Sequence, residues 1–201
     1  MSLGVGDACF SYGGVPVFAG LSFVAAPGEA VAVLGANGSG KSTLLRCLVG
    51  AEVLDSGRVL FDGGVVDESS GAFRAAVASL LDDADYFPDV SVVEHLRLLA
   101  WLHGSTADVS AVLSEVGLTS AADQLPPTLS SGQRHRLGLA SCFVRPRSVL
   151  VLDEPEQRLD TAGRTWLRSR LLAEKASGVA VVFASHDQEL VEAVACRTVT
   201  L

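Results

Sequence analysis

The chain has 201 residues, a formal charge of -8 and four cysteines. Its 49% hydrophobic content and mean hydropathy of +0.39 exclude a disordered or collagen-like chain, which lacks the apolar side chains that offset ordering entropy. The longest apolar runs, such as 179–184, fall far short of the ~20 residues that cross a bilayer, and the net negative charge argues against general affinity for nucleic acid.

Met1-Ser2-Leu3-Gly4 opens without a basic region, so no secretory signal is expected. Residues 3–25 alternate in polarity and carry turn signals at Gly13-Gly14 and Gly20, which predicts antiparallel strands. Pro27-Gly28-Glu29 turns the chain into a short apolar run at 30–34, a fully buried strand bounded by Gly35. A helix follows from Lys41, with Leu44, Leu45 and Leu48 on one face and Gly50 as its stop. Residues 57–61 and 77–81 read as further strands. Between 82 and 145 the strand-like runs cease, and helical pieces are predicted at 92–103, 109–116 and 133–144. Continuous apolar strands return at 148–152 and 179–184.

Apolarity that runs on rather than alternating implies burial on both faces, hence a largely parallel sheet covered by helices. We therefore expect an α/β fold over 1–201: a single domain with a mostly parallel core sheet, an N-terminal antiparallel β-subdomain and an inserted helical subdomain. Ligands of such sheets bind beyond the carboxyl ends of the strands. The polar clusters after Leu34, Leu152 and Ala184 are thus expected to converge. The cysteines, Cys9, Cys47, Cys142 and Cys196, are far apart and form no CxxC, so reduced thiols are expected rather than a metal site or disulfide framework.

Gly35-Ala36-Asn37-Gly38-Ser39-Gly40-Lys41-Ser42 matches G-x-x-x-x-G-K-[ST], placed after a strand and before a helix as a phosphate-binding loop requires. Glycines let successive N–H groups and the helix N-terminus face an anion. In this loop Gly35, Asn37, Gly38, Ser39, Gly40, Lys41, Ser42 and the adjoining Thr43 are the candidate nucleotide contacts. Lys41 is then expected to reach β- and γ-phosphates, and the Ser42 hydroxyl to ligate Mg²⁺. Lys41 and Lys175 are the only lysines among the 15 basic side chains.

Asp153 and Glu154 end an apolar run. Alone, such a pair is also read as a helix N-cap; beside a phosphate loop, Asp153 is the candidate metal ligand and Glu154 the candidate general base. His186, after the next apolar run, is either a structural hydrogen-bonder or a γ-phosphate contact.

The order of these pieces, together with Leu129-Ser130-Ser131-Gly132-Gln133, resembles the ATP-binding cassette family of ATPases along nearly the whole chain. The five residues correspond to the family's LSGGQ signature, with Ser131 in place of its first glycine. The resemblance implies that Tyr12 stacks on adenine, although a strand-packing role is an equal reading of that side chain. It implies that Ser130, Gly132 and Gln133 contact the nucleotide held by a second subunit, and that Leu159-Asp160 meets that subunit. It places Asp82, or the neighbouring Asp83, where the family carries a glutamine near Mg²⁺, which makes Asp82 a further candidate metal ligand; a solvent-facing loop is the alternative for both.

The function so implied is an ATP-hydrolysing subunit, cytoplasmic and peripheral on the inner face of the membrane. It would power an ABC membrane transporter through a nucleotide-sandwiched homodimer or heterodimer, with transmembrane permease subunits encoded separately. Those subunits are expected to contact the helical insertion near Phe87, Val90, Val92, Leu96 and Trp101, residues that also suit an ordinary core. The compact chain resembles small exporter-type ATPases. A soluble cassette acting on a non-membrane partner, or a switch that uses ATP binding alone, is the alternative.

Overall fold

The computed structural model describes residues 1–67, 69–81 and 86–201. They fall into two compact units, one comprising residues 1–81, 147–155 and 166–201, the other 82–146 and 156–165.

The first unit starts with a hairpin of β1 (Leu3–Tyr12) and β2 (Val15–Ala25). Gly13 and Gly14 close it with φ of 56° and 84°, the pair of positive values that matches the twist of a tight hairpin. Leu3 and Val5 are buried, then Ala8 and Phe10, so the alternation slips by one position between them. The cause is a bulge: the pairing shifts register between Val5 and Ala8, and Asp7 adopts φ 50° with its N–H donated to Ser22 Oγ at 2.8 Å. β4 (Ser56–Phe61) pairs on the other side of β1, and the short β5 (Gly64–Val65) completes an antiparallel sheet in the order β2-β1-β4-β5.

The second sheet joins β6 (Val77–Leu80), β7 (Val149–Asp153), β8 (Ala180–Ala184), β3 (Ala30–Leu34) and β9 (Arg197–Thr200) in the order β6-β7-β8-β3-β9. Every pairing in it is parallel. All five residues of β8 are buried, as are the first four of β3 and of β7, the pattern of strands covered on both faces. Helix α1 (Lys41–Leu48) contributes Leu44, Leu45 and Leu48 to a core shared with Leu3, Val5, Phe10, Phe18 and Phe23 of the antiparallel sheet and Val31, Val33, Val151 and Val182 of the parallel one. Three elements have weak sequence signals: β5, the short α2 (Gly71–Ala76), and β9, whose residues are mostly exposed. Helix α7 (Gln188–Val194) is capped by Asp187, which accepts from the Leu190 N–H at 3.1 Å.

The second unit is built on helices α3 (Val92–Leu102), α4 (Val109–Glu115) and α5 (Ser131–Phe143). Each start is fixed by its N-cap: a capping box of Ser91 and Glu94, Asp108, and a capping box of Ser130 and Gln133. α6 (Thr161–Ala176) starts in this unit and continues in the first. Of the five residues expected to offer a contact surface, Val92 and Leu96 are instead fully buried, because their helical spacing puts them on the apolar face of α3. Val90 is half-buried, while Phe87 and Trp101 are exposed, Trp101 by 75%. No helix among the described residues is long and apolar enough to cross a membrane. Cys9, Cys47, Cys142 and Cys196 are not joined in disulfides.

Candidate functional site

The loop at 35–42 leaves the carboxyl end of β3 and enters α1. Its course depends on glycine. Gly35, Gly38 and Gly40 have φ of 155°, 79° and 101°. A Cβ at Gly35 would stand 2.3 Å from Ser39 Oγ, and one at Gly40 would stand 2.2 Å from Val17 Cγ1 on β2. A Cβ at Gly38 would meet nothing within 4 Å, so the loop is open there. No side chain caps α1 and no acidic residue occupies its first turn, which leaves the positive end of the helix facing the loop.

Lys41 is 5% exposed. Its Nζ donates to the carbonyl oxygens of Gly35 at 3.0 Å and Ala36 at 3.1 Å, so the ammonium lies across the loop. Ser39 Oγ is buried without a hydrogen-bond partner. Asn37 is exposed, Ser42 half-buried and Thr43 buried. A loop of this kind, with a cation across it and an unsatisfied hydroxyl inside it, suits a polyphosphate.

Asp153 is the last residue of β7 and lies in register with Ala184 at the end of β8. Glu154 follows in the left-handed region, φ 44°, a conformation that costs a non-glycine residue ~1–3 kcal/mol. Its N–H donates to the Ala184 carbonyl at 2.9 Å, which holds the turn across to β8. The Glu154 carboxylate is thereby aimed at His186, with 3.4 Å between Oε1 and Nε2. His186 is itself fixed by the turn around it, where Ser185 Oγ accepts from the Asp187 N–H at 2.9 Å. β8 lies between β7 and β3, so Asp153, His186 and the phosphate loop emerge from three adjacent parallel strands in the same direction.

The convergence expected from the sequence therefore holds for these groups. The backbones of β7 and β3 are two strand spacings apart, ~10 Å. Asp153 and Ser42 offer one carboxylate and one hydroxyl, the hard oxygen donors that Mg²⁺ takes when water completes its shell.

Tyr12 is half-exposed at the tip of the first hairpin, its ring edge-on to Phe10 with centroids 4.8 Å apart. The contact that Gly40 permits with Val17 brings this hairpin against the phosphate loop. None of these residues lines the cavity of about 390 Å³ bounded by Cys47, Val53, Arg58, Val65 and Asp67. Burial pushes the Cys47 thiol up to about 11, so it stays protonated there.

The remaining candidates belong to the second unit. Leu129 is buried and anchors the turn before α5. Ser130 Oγ accepts from the Gln133 N–H at 3.2 Å, and Gln133 Oε1 accepts from the Ser130 N–H at 2.9 Å. Ser131, which replaces the family's first signature glycine, is an exposed residue of the first helical turn and needs no glycine backbone. A Cβ at Gly132 would stand 3.1 Å from the Arg158 carbonyl oxygen. Asp82 and Asp83 lie outside the described residues.

Sequence reasoning misses Arg136, which donates to the Val116 carbonyl at 2.9 Å and to Asp160 Oδ1 at 2.7 Å. Its one sequence signal is its place four residues after Gly132, on the same face of α5.

Residues 18–157 match the family model described as ABC transporter. The chain is 39% identical over 177 residues to the cytochrome c biogenesis ATP-binding export protein CcmA of Rhodopseudomonas palustris, covering 87% of this chain and 86% of that one. It is 38% identical to the protein of the same title from Roseobacter denitrificans, covering 92% and 84%. An uncharacterized ABC transporter ATP-binding protein, YdbJ of Bacillus subtilis, is 36% identical over 87% of this chain, which spans 58% of that relative's length. Among solved structures, one titled as an ATP binding subunit of an ABC transporter superposes over 100% of this chain and 86% of its own, with a TM-score of 0.90 at 25% identity. With its phosphate loop and signature turn in the positions described, the chain belongs to the ABC transporter family of ATP-binding cassette proteins.

Proposed function

We propose that this chain binds and hydrolyses ATP to drive a membrane transporter, working as a dimer in which each nucleotide lies between one subunit's phosphate loop and its partner's signature turn. The observation that carries the reading is the pairing of Glu154 with His186, 3.4 Å apart, at the strand ends beside the phosphate loop. An acid-base group next to a polyphosphate cradle suits hydrolysis rather than binding alone.

In this reading Tyr12 stacks on the base. The loop N–H groups cradle the phosphates while Lys41 leaves the carbonyls of Gly35 and Ala36 for the β- and γ-phosphate oxygens. Glu154 orients a water and accepts its proton as the water oxygen attacks the γ-phosphorus in line and the bond to the bridging oxygen breaks. His186 holds the Glu154 carboxylate in place and contacts the γ-phosphate. Asp153 and Ser42 hold Mg²⁺, which when bound offsets the negative charge on the β- and γ-oxygens. From the partner, Ser130, Gly132 and Gln133 close over the γ-phosphate at the start of α5, where the helix dipole favours negative charge. A lone subunit is then a poor ATPase.

The exposed Phe87 and Trp101 of the helical unit offer apolar side chains to a transmembrane partner, which would hold the chain at the membrane's inner face. Export is the favoured direction, supported by the export proteins among its relatives. Glu154→Gln tests the whole reading: the variant should retain ATP, lose at least a hundredfold in turnover and accumulate as an ATP-dependent dimer in sedimentation. Turnover within threefold of the parent would refute the assignment.

A further inference from the structure

Gly132 and Arg136 are one helical turn apart and share a face of α5. Both meet the segment that leads into α6. Gly132 packs on the Arg158 carbonyl, where a Cβ would come within 3.1 Å. One turn later the Arg136 guanidinium runs between the Val116 carbonyl oxygen, at 2.9 Å, and Asp160 Oδ1, at 2.7 Å.

Two glycines make the room. A Cβ at Gly117 would stand 3.2 Å from one terminal nitrogen of Arg136, and a Cβ at Gly163 would stand 2.9 Å from the other. Val116 caps the end of α4, where helix carbonyls lack partners of their own, and Arg136 supplies a donor to one. Asp160 is tied to its own helix as well: its Oδ1 accepts from the Gly163 N–H at 2.9 Å, and its carbonyl accepts from the Arg164 N–H at 2.9 Å. The guanidinium puts a separate terminal nitrogen on each acceptor, where a lysine would have to serve both from a single nitrogen. The Asp160 side chain is 70% exposed, so the ion pair adds little to stability. What the arrangement fixes is position.

We infer that Arg136 is a positioning residue that locks the signature turn at 130–133 and the segment at 158–160 into one body. The two segments a subunit presents to its partner's nucleotide then arrive together. This inference rests on the sandwiched dimer proposed above.

The test uses the full chain carrying Glu154→Gln, with ATP and Mg²⁺. Dimerisation is measured by sedimentation, and nucleotide affinity of the dilute monomer with a fluorescent ATP analogue. Arg136→Met and Arg136→Lys should each weaken dimerisation at least tenfold and leave monomer affinity within twofold. In an Asp160→Ala background, which has no side-chain acceptor for the guanidinium, Arg136→Met should cost less than threefold, since the pair acts as a unit. Gly163→Ala keeps the arginine but crowds it together with Asp160 Oδ1 and Leu159 Cβ, and it replaces a helical glycine with a better helix former. It should weaken dimerisation without lowering the melting temperature, which a merely structural role would not produce; it also carries the test if Arg136→Met fails to fold.

Unchanged dimerisation in Arg136→Met, Arg136→Lys and Gly163→Ala, with a parent that dimerises, overturns the inference alone. So does a loss of dimerisation that only keeps step with losses in melting temperature and monomer affinity. A parent that stays monomeric with ATP overturns the sandwiched dimer, and this inference with it.

Discussion

In the sheet-containing unit the candidate functional groups leave the ends of strands whose backbones are bonded to neighbours on both sides; in the helical unit they sit on helix caps and are steadied by side chains. Asp153 and Glu154 are placed by the register of β7 with β8 and by one further backbone bond to Ala184. Ser130 and Gln133 are placed by a capping box, and the segment at 158–160 by Arg136 and the packing of Gly132. Backbone placement tolerates most side-chain changes elsewhere on the strand. Placement by side chains rests more on individual contacts, such as those of Arg136 with Val116 and Asp160.

The largest test of this contrast asks whether the sheet unit has any side-chain dependence of its own. Glu174 is buried on α6, bonded to Arg170 Nε at 2.9 Å and to Arg147 through Nε, at 2.9 Å, and a terminal nitrogen. The Arg147 side chain is only 10% exposed. Glu174→Ala removes the buried carboxylate that Arg147 and Arg170 share and should lower unfolding stability by about 3–5 kcal/mol in urea titrations. A loss under 1 kcal/mol would mean that the sheet backbone alone holds this region.

Next in size is Lys41→Met. It removes the one ammonium that lies across the phosphate loop and should weaken ATP binding by roughly ten- to a hundredfold, the span of one or two charge-assisted hydrogen bonds. Equilibrium binding of a fluorescent ATP analogue reads it directly. Ser91→Ala, in the helical unit, deletes the cap of α3 and should cost about 1 kcal/mol. Hydrogen exchange should show the loss in the first turn of α3; uniform protection there would show that packing, not the cap, holds the helix.

The same contrast decides what is legible in the sequence. The phosphate loop, Asp153-Glu154 and His186 each follow a run of four or more apolar residues, so local pattern locates them and parallel-strand topology joins them. The bulge at Asp7 is hidden because one extra residue changes the phase of an alternation without changing its composition. β9 escapes notice because an edge strand with exposed side chains carries little apolar signal. Arg136 and Asp160 are 24 residues apart and meet only through two helices, and the space between them is set by Gly117 and Gly163, whose role no local pattern announces. Val92 and Leu96 read as surface candidates because a helix shows its apolar stripe in sequence but not which way the stripe faces.

The smallest expected effect is a pH dependence, and it belongs to the helical unit. His95 on α3 is buried, and burial lowers its pKa below the ordinary imidazole value. Its Nδ1 faces the Phe87 N–H at 3.4 Å, so Nδ1 is the acceptor and Nε2 carries the proton toward Ser141 Oγ at 3.2 Å. Protonating Nδ1 would set two donors against each other. His103 at the end of α3 is also held down, by burial and by the nearby charge of Arg145. For both groups the unfolded chain binds the proton more tightly than the folded one. Their contribution is therefore complete above the unfolded pKa of ~6.5 and is lost as pH falls from there toward the folded values. Urea unfolding followed between pH 8 and pH 5 should show stability declining below ~6.5, with His95→Gln flattening the decline. The region that yields should be Phe87 and the start of α3, while the strand-end groups of the sheet unit keep their protection. A decline of equal depth in His95→Gln would place the proton-sensitive contact elsewhere.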